Sequence, residues 1–419
     1  MVDTRRRFVL SCVAQTRQSF PTTRRLTMRW AGNQVVVRSD EQAGIACWPP
    51  NGEIAGPVVQ FLRRCGSRDL PAATRTQLYD LGSAMSLGEW QSLRARARVE
   101  GMEALLLAHA VDAGLLPVMP EEVAETLLAV YRRQWIWNRR LRGEQRRIIA
   151  ALSAHGVEVM VIKGVTLAER LYGDVALRPS GDIDLLVRPK DIESCARILT
   201  TIGYTPLPGR ATPSQWHAMV NRALAFRHSD GFELDVHWRL TSQPAYVAAF
   251  PTGEIWQSAE QADQADPSLF RRLSLDDELR FLCYHYAAQH EDKRLIWLVD
   301  IAEILRTLPA AWDWRSFAAD TIARGLATPV NVALRTAQSV SELAAPRGLL
   351  ETLSEATANP HEQRAWRTAQ AHHRGLWLMY EHLNAQDSLG RRLVFTWQGF
   401  LWHGAFPALH RLSAPRRGG

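Results

Sequence analysis

Leu177-Arg178-Pro179-Ser180-Gly181-Asp182-Ile183-Asp184-Leu185-Leu186-Val187 is the stretch on which the fold turns. Pro179 and Gly181 mark a loop. The run Asp182 to Val187 then predicts a strand. Side chains alternate along a strand, so Asp182 and Asp184 share one face and Ile183 points into the core. Further on, Ala223 to His228 and Phe232 to Trp238 flank Ser229-Asp230-Gly231, which predicts a hairpin. Its second strand carries Asp235 within Glu233-Leu234-Asp235-Val236-His237. Where that strand neighbours the first, three carboxylates converge. Three clustered anions repel one another and call for a cation. Mg²⁺ is the fitting one, because it takes hard oxygen ligands and bridges to phosphates. A pair of such ions activates an attacking oxygen and stabilises a leaving one.

Working upstream, Val157 to Ile162 is a short β-branched run that ends at Lys163-Gly164, and a helix is predicted from Val165 to Tyr172. Glycine lets a backbone approach a phosphate closely. A helix N-terminus adds free N–H groups and the positive end of its dipole. Lys163 adds a point charge, and it is one of only three lysines, with Lys190 and Lys293, against 47 arginines. Arg178, with bidentate donors, and Ser180, with a hydroxyl, are candidates to contact the same phosphates. In a structural role, Arg178 would instead pair with Asp174 or Asp182. His237 shares the Asp235 face and reads as a hydrogen-bonded structural histidine. His285 and His290, five apart on a predicted helix from Asp276 to His290, do not share an α-helical face well. His290, Lys293, Arg294 and Asp300 are further candidates for the acceptor side.

Outward from this core the chain is helical. Residues 1–60 read as a basic arm with a small hairpin around Ala31 to Asn33, and 61–155 as a helical region. A long helix runs from Glu121 toward His155, with a break expected near Gly143. Residues 156–245 form the sheet core, 246–405 a helical region and 406–419 a basic tail. The fold class is α/β of the α+β kind: a small mixed sheet flanked by helices.

The 419 residues carry net charge +7. Residues 1–40 hold +6 and 390–419 hold +5, leaving 41–389 at −4. The basic excess therefore sits at the two ends, which weakens a nucleic-acid reading. A basic acceptor groove gathered by folding would restore it. Five cysteines at wide spacing, with no C-x-x-C, indicate neither a disulfide framework nor a zinc site. Free thiols and the lack of a long apolar run point to a soluble, cytoplasmic protein with no membrane span.

Ile162-Lys163-Gly164, Leu171-Tyr172, the 177–187 stretch, Glu233 to Trp238 and Leu295 to Ile301 together resemble the uncharacterised nucleotidyltransferase-like family of the polymerase-beta superfamily. The resemblance covers roughly 90–345, with its core at 155–305. It is similar, more distantly, to toxin-type nucleotidyltransferases. It implies Mg²⁺-dependent transfer of a nucleoside monophosphate from an NTP to a hydroxyl or phosphate acceptor. Asp182 and Asp184 would bind the metals, and Asp235 a metal or the acceptor proton. Lys163 and Gly164 would hold the phosphates, and Arg178 and Ser180 would orient them. The gap of 18 positions between Gly164 and Asp182 is long for the superfamily. A small molecule, peptide or sugar is the expected acceptor. The alternatives are γ-phosphoryl transfer on the same fold, a lapsed nucleotide-binding protein, and an RNA-modifying toxin-type transferase.

Overall fold

The computed structural model describes residues 56–207, 222–262, 270–290, 293–341 and 345–370. The hairpin expected near Ala31 and the basic tail at 406–419 lie outside the described residues. Among the described residues five helices come first: α1 (Pro57–Arg64), α2 (Ala72–Ser83), α3 (Leu87–Val99), α4 (Glu103–Asp112) and α5 (Glu121–Ser153). Next come β1 (Met160–Val161), α6 (Val165–Tyr172), β2 (Ile183–Leu186), α7 (Ile192–Thr201), β3 (Tyr204–Pro206), β4 (Ala223–His228) and β5 (Glu233–His237). After the short helices α8 (Pro244–Val247) and α9 (Thr252–Ser258), two short strands follow, β6 (Glu260–Gln261) and β7 (Arg271–Arg272). The remaining described elements are helices: α10 (Leu275–Tyr284), α11 (Leu295–Thr307), α12 (Trp314–Ala323), α13 (Ala327–Val340), α14 (Arg347–Ala356) and α15 (Pro360–Gln370).

The strands form one mixed sheet in the order β3-β4-β5-β2-β1-β7-β6. β2 lies parallel to β5 and antiparallel to β1, and β4 and β5 form the expected antiparallel hairpin. Gly231 takes φ 87° in its turn, a conformation that costs glycine least. The two strands β6 and β7 extend the sheet from sequence beyond residue 245.

Alternation decides which face is the core. Ile183, Leu185 and Val187 from the β2 segment join Leu234, Val236 and Trp238 from the β5 segment in one buried cluster. Leu141, Ile148, Ile149 and Leu152 of α5 cover that face, together with Cys195 and Leu199 of α7. The intervening residues Asp184, Asp235 and His237 are therefore delivered to the opposite face.

α5 is an unbroken helix of 33 residues, so the break expected at Gly143 does not occur. Gly143 lies on the exposed side. A glycine there costs only about 1 kcal/mol relative to alanine, and the apolar residues on either side of it hold the helix on the sheet. The helix expected to run on to His290 ends as an α-helix at Tyr284, and His285–Gln289 forms a π turn. No helix among the described residues is long and apolar enough to cross a membrane.

Candidate active site

The parallel register of β2 and β5 sets Asp184 directly opposite Asp235. His237, two residues on, places Nε2 3.0 Å from Asp184 Oδ1. Asp184, Asp235 and His237 each offer a ligand atom, and the three atoms lie within 4.8 Å of one another. Asp184 and His237 are buried, while Asp235 is half-buried. Strand alternation makes the His237 position legible, but its partner emerges only from the pairing of the two strands.

Lys163 closes the site from the end of β1. Its Nζ lies 3.1 Å from Asp184 Oδ2, an oxygen that is buried and accepts no well-formed hydrogen bond. Burial works against the ammonium charge, but Asp184 and Asp182 outweigh it and the pKa of Lys163 is raised. Burial likewise opposes ionisation of Asp184, yet Lys163 and the His237 hydrogen bond pull its carboxyl below the usual range.

Asp182 stands one residue ahead of β2 and is half-buried. Repulsion from Asp184, then burial, pushes its pKa up to about 6, with Asp235 adding to the rise and Lys163 opposing it. It belongs to the same electrostatic cluster without being one of the three closely spaced ligand atoms. Glu233, at the start of β5, is exposed and paired with Arg227 at 2.6 Å.

Gly164 caps the N-terminus of α6 at φ 80°, ψ −140°, a region open essentially to glycine alone. A Cβ there would meet the Asp182 carbonyl oxygen at 3.4 Å, so the glycine turn and the acidic strand are neighbours in space. The long sequence gap between them is taken up by α6 and a 3₁₀ turn at Val175–Leu177.

Arg178 and Ser180 are placed differently from each other. Arg178 is buried, with Nε 2.8 and 3.0 Å from the two carboxylate oxygens of Asp300 on α11. Its partner is thus neither Asp174 nor Asp182. Asp300 is fully buried, also accepts from Tyr172 Oη at 2.8 Å, and so does not line an acceptor surface. Ser180 is buried with its Oγ unpartnered among the described residues, and its carbonyl accepts from Trp137 Nε1 at 2.9 Å. The Asn138 amide of α5 donates to the carbonyls of Val175 and Arg178. These bonds fix the loop that leads into Asp182.

The C-terminal helical region supplies a further wall. The His285 and His290 rings lie 4.5 Å apart, and both contact Trp297, at 4.7 and 5.3 Å. An α-helix would have separated residues five apart. The π turn, with its i to i+5 spacing, brings them together. Burial, then the charges of Lys163, His290 and Arg222, holds the His285 pKa well below the ordinary histidine value, so its imidazole is neutral. Lys293 and Arg294 lie over the rings of Tyr286 and Trp297.

A hard-oxygen pair with a nearby imidazole, a third carboxylate destabilised by its neighbours, and a lysine neutralising part of the charge together form a site fit for a divalent cation. A family model described as uncharacterised nucleotidyltransferase matches residues 86–341, which takes in every one of these side chains. No curated protein matches the chain. The match spans more than half of the sequence and the acidic strands sit at its centre, so the chain belongs to this nucleotidyltransferase family.

Proposed function

We propose that the protein transfers a nucleoside monophosphate from an NTP to an acceptor hydroxyl or phosphate, with Mg²⁺ bound at Asp182, Asp184 and Asp235. The observation that carries this reading is the pairing of Asp184 with Asp235 across parallel strands, with Asp182 beside them. That set of oxygens fits one or two Mg²⁺ ions, and the repulsion felt by Asp182 is what a bound cation would relieve. When bound, the metal supplies Lewis-acid stabilisation of the phosphate charge and lowers the pKa of the attacking oxygen.

The chain's own residues do the rest. His237 holds Asp184 in orientation through its 3.0 Å contact. Lys163 already rests against concentrated negative charge, and a triphosphate presents it with a second anion to neutralise. Gly164 opens the N-terminus of α6 to the phosphates. Ser180 offers its unpartnered hydroxyl to them. Arg178, tied to Asp300, sets the course of the loop and adds positive potential beside Asp182. The acceptor oxygen forms its bond to the α-phosphorus as the bond to the β-phosphate oxygen breaks. Pyrophosphate leaves, and the acceptor proton passes to Asp235. Catalysis is then positioning plus charge neutralisation.

The test uses Mg²⁺ with NTPs labelled at the α- or the γ-phosphate, and cell lysate as a source of acceptors. Transfer of α-label, lost in the Asp182→Ala/Asp184→Ala double variant, is the expected result. Transfer of γ-label alone would replace this reading with phosphoryl transfer. Absence of metal-dependent NTP binding would replace it with a lapsed enzyme.

A further inference from the structure

The sheet-facing side of α5 is accounted for, but its other side is not. Residues 131–150 hold seven arginines and one acid, Glu144. Six of them, Arg132, Arg133, Arg139, Arg140, Arg146 and Arg147, are exposed. At 3.6 residues per turn they fall into two adjacent rows, 132/139/146 and 133/140/147, whose members are about 10.5 Å apart. Ile136 lies between the rows and is exposed at 55%, and Trp135 lies beside the 132/139/146 row and is exposed at 36%. Arg147 pairs with Glu144. Among the described residues the other five show no ion pair with a carboxylate, although Arg133 acts on the charge of Glu103, and Arg139 lies over Trp135.

A helix face that merely meets solvent mixes both charge signs, because unopposed like charges repel. This one concentrates a single sign, in side chains suited to phosphate recognition, around an exposed indole. A bilayer does not fit it. The apolar side of the helix is already spent on the core, and Trp135 and Ile136 alone give little area to bury in lipid. An acidic protein would answer the arginines but leave the indole without a role. Single-stranded nucleic acid answers both, with phosphates on arginine and a base on an aromatic face.

We propose that the exposed face of α5 docks single-stranded nucleic acid and leads its end toward the Asp184–Asp235 site. The docking stands on the surface alone; the delivery of an acceptor end rests on the nucleotidyl-transfer reading. The same helix supports both roles. Trp137, next to Ile136, bonds the Ser180 carbonyl and stacks on Phe232 at 5.5 Å, and Arg140 lies over that same ring. The basic face therefore adjoins the loop that feeds Asp182. Folding has gathered arginine into a surface that the −4 body charge conceals.

The experiment measures binding of a fluorescein-labelled 20-nucleotide RNA and the DNA of the same sequence to the full chain by anisotropy, over a range of salt. Neither nucleotide nor Mg²⁺ is present, so the result is independent of the transfer chemistry. Binding should weaken steeply with salt. The Arg132→Gln/Arg139→Gln/Arg146→Gln variant should bind at least about tenfold more weakly, with a log–log salt slope shallower by about 2. Trp135→Ala should cost about tenfold with little change in slope, and Trp135→Phe should restore most of it. Wild-type binding by the triple variant would overturn the proposal, since the basic ends of the chain would then be the binding element. Equal competition by poly-glutamate, or tighter binding to phosphatidylserine vesicles, would also overturn it in favour of an acidic protein or a membrane. If α-label is transferred to another acceptor and never to the bound strand, the delivery half fails.

Discussion

Arg178 and Asp300 stand 122 residues apart in sequence and share a buried, two-oxygen contact at 2.8 and 3.0 Å. The contact ties the loop before the acidic strand to helix α11. Tyr172 at the end of α6 joins the same carboxylate. Helix α6, the acidic loop and helix α11 thus meet at one side chain.

Asp300→Ala leaves the Arg178 guanidinium buried without a counter-charge. Breaking a buried pair from one side costs about 3–5 kcal/mol. Urea unfolding should show a loss of that order, whereas Tyr172→Phe should cost about 1 kcal/mol. A loss from Asp300→Ala no larger than that from Tyr172→Phe would show that the pair is not the anchor.

The pKa of Asp182, near 6, lies above its ordinary value of 3.8. The folded metal-free protein is therefore destabilised by the ionised form above about pH 6. The penalty fades as pH falls from 6 toward 3.8, and below that value the folded and unfolded states both hold the proton. Asp182→Asn should raise the Tm of the metal-free protein at pH 8 and leave it nearly unchanged at pH 4. Equal Tm shifts at the two pH values would contradict the electrostatic origin of the effect.

Gly164→Ala forces a side chain into a backbone region reserved for glycine, at a cost of about 1–3 kcal/mol. Relief of that strain moves the turn against the Asp182 carbonyl. The expected outcome is a lower Tm and a raised KM for the NTP in a steady-state assay. An unchanged KM would detach this turn from the phosphates.

His237→Gln removes the group that orients Asp184 and should weaken Mg²⁺ binding by about 10–100-fold, as measured by calorimetry. Asp235→Asn and Asp184→Asn should each lower α-label transfer by at least about 100-fold. Chelation with EDTA should abolish transfer, and added Mg²⁺ should restore it. Full activity of Asp235→Asn would remove that residue from the proposed chemistry.

Period-two alternation makes the acidic strand, the hairpin, the shared face of Asp182 with Asp184 and that of Asp235 with His237 legible from the order of residues alone, whereas the meeting of the two faces follows from the pairing of β2 with β5. These are local patterns, and the buried residues Ile183, Leu185, Leu234 and Val236 enforce them. What stays hidden depends on contacts distant in sequence. Local rules direct Arg178 to Asp174 or Asp182, because none of them reaches as far as Asp300. α-Helical geometry separates His285 from His290, and no residue pattern announces the π turn. The arginines of α5 are plain in the sequence, but their common exposure follows only from the packing of Leu141, Ile148 and Leu152 against the sheet.

The parallel pairing of β2 with β5 also bears on assembly. His237 and Asp184 meet across 53 positions, and α7, β3 and β4 are laid down between them. Contacts of such sequence separation close slowly, because the entropy of the loop is lost before the contact forms. No contiguous short fragment contains the proposed cation site, and a nascent chain lacks it until β5 has docked. Mg²⁺ would then bind the completed sheet in preference to its precursors and draw the folding equilibrium toward it. The metal-dependent gain in stability would serve as a gauge of how much of the protein in a preparation has finished folding.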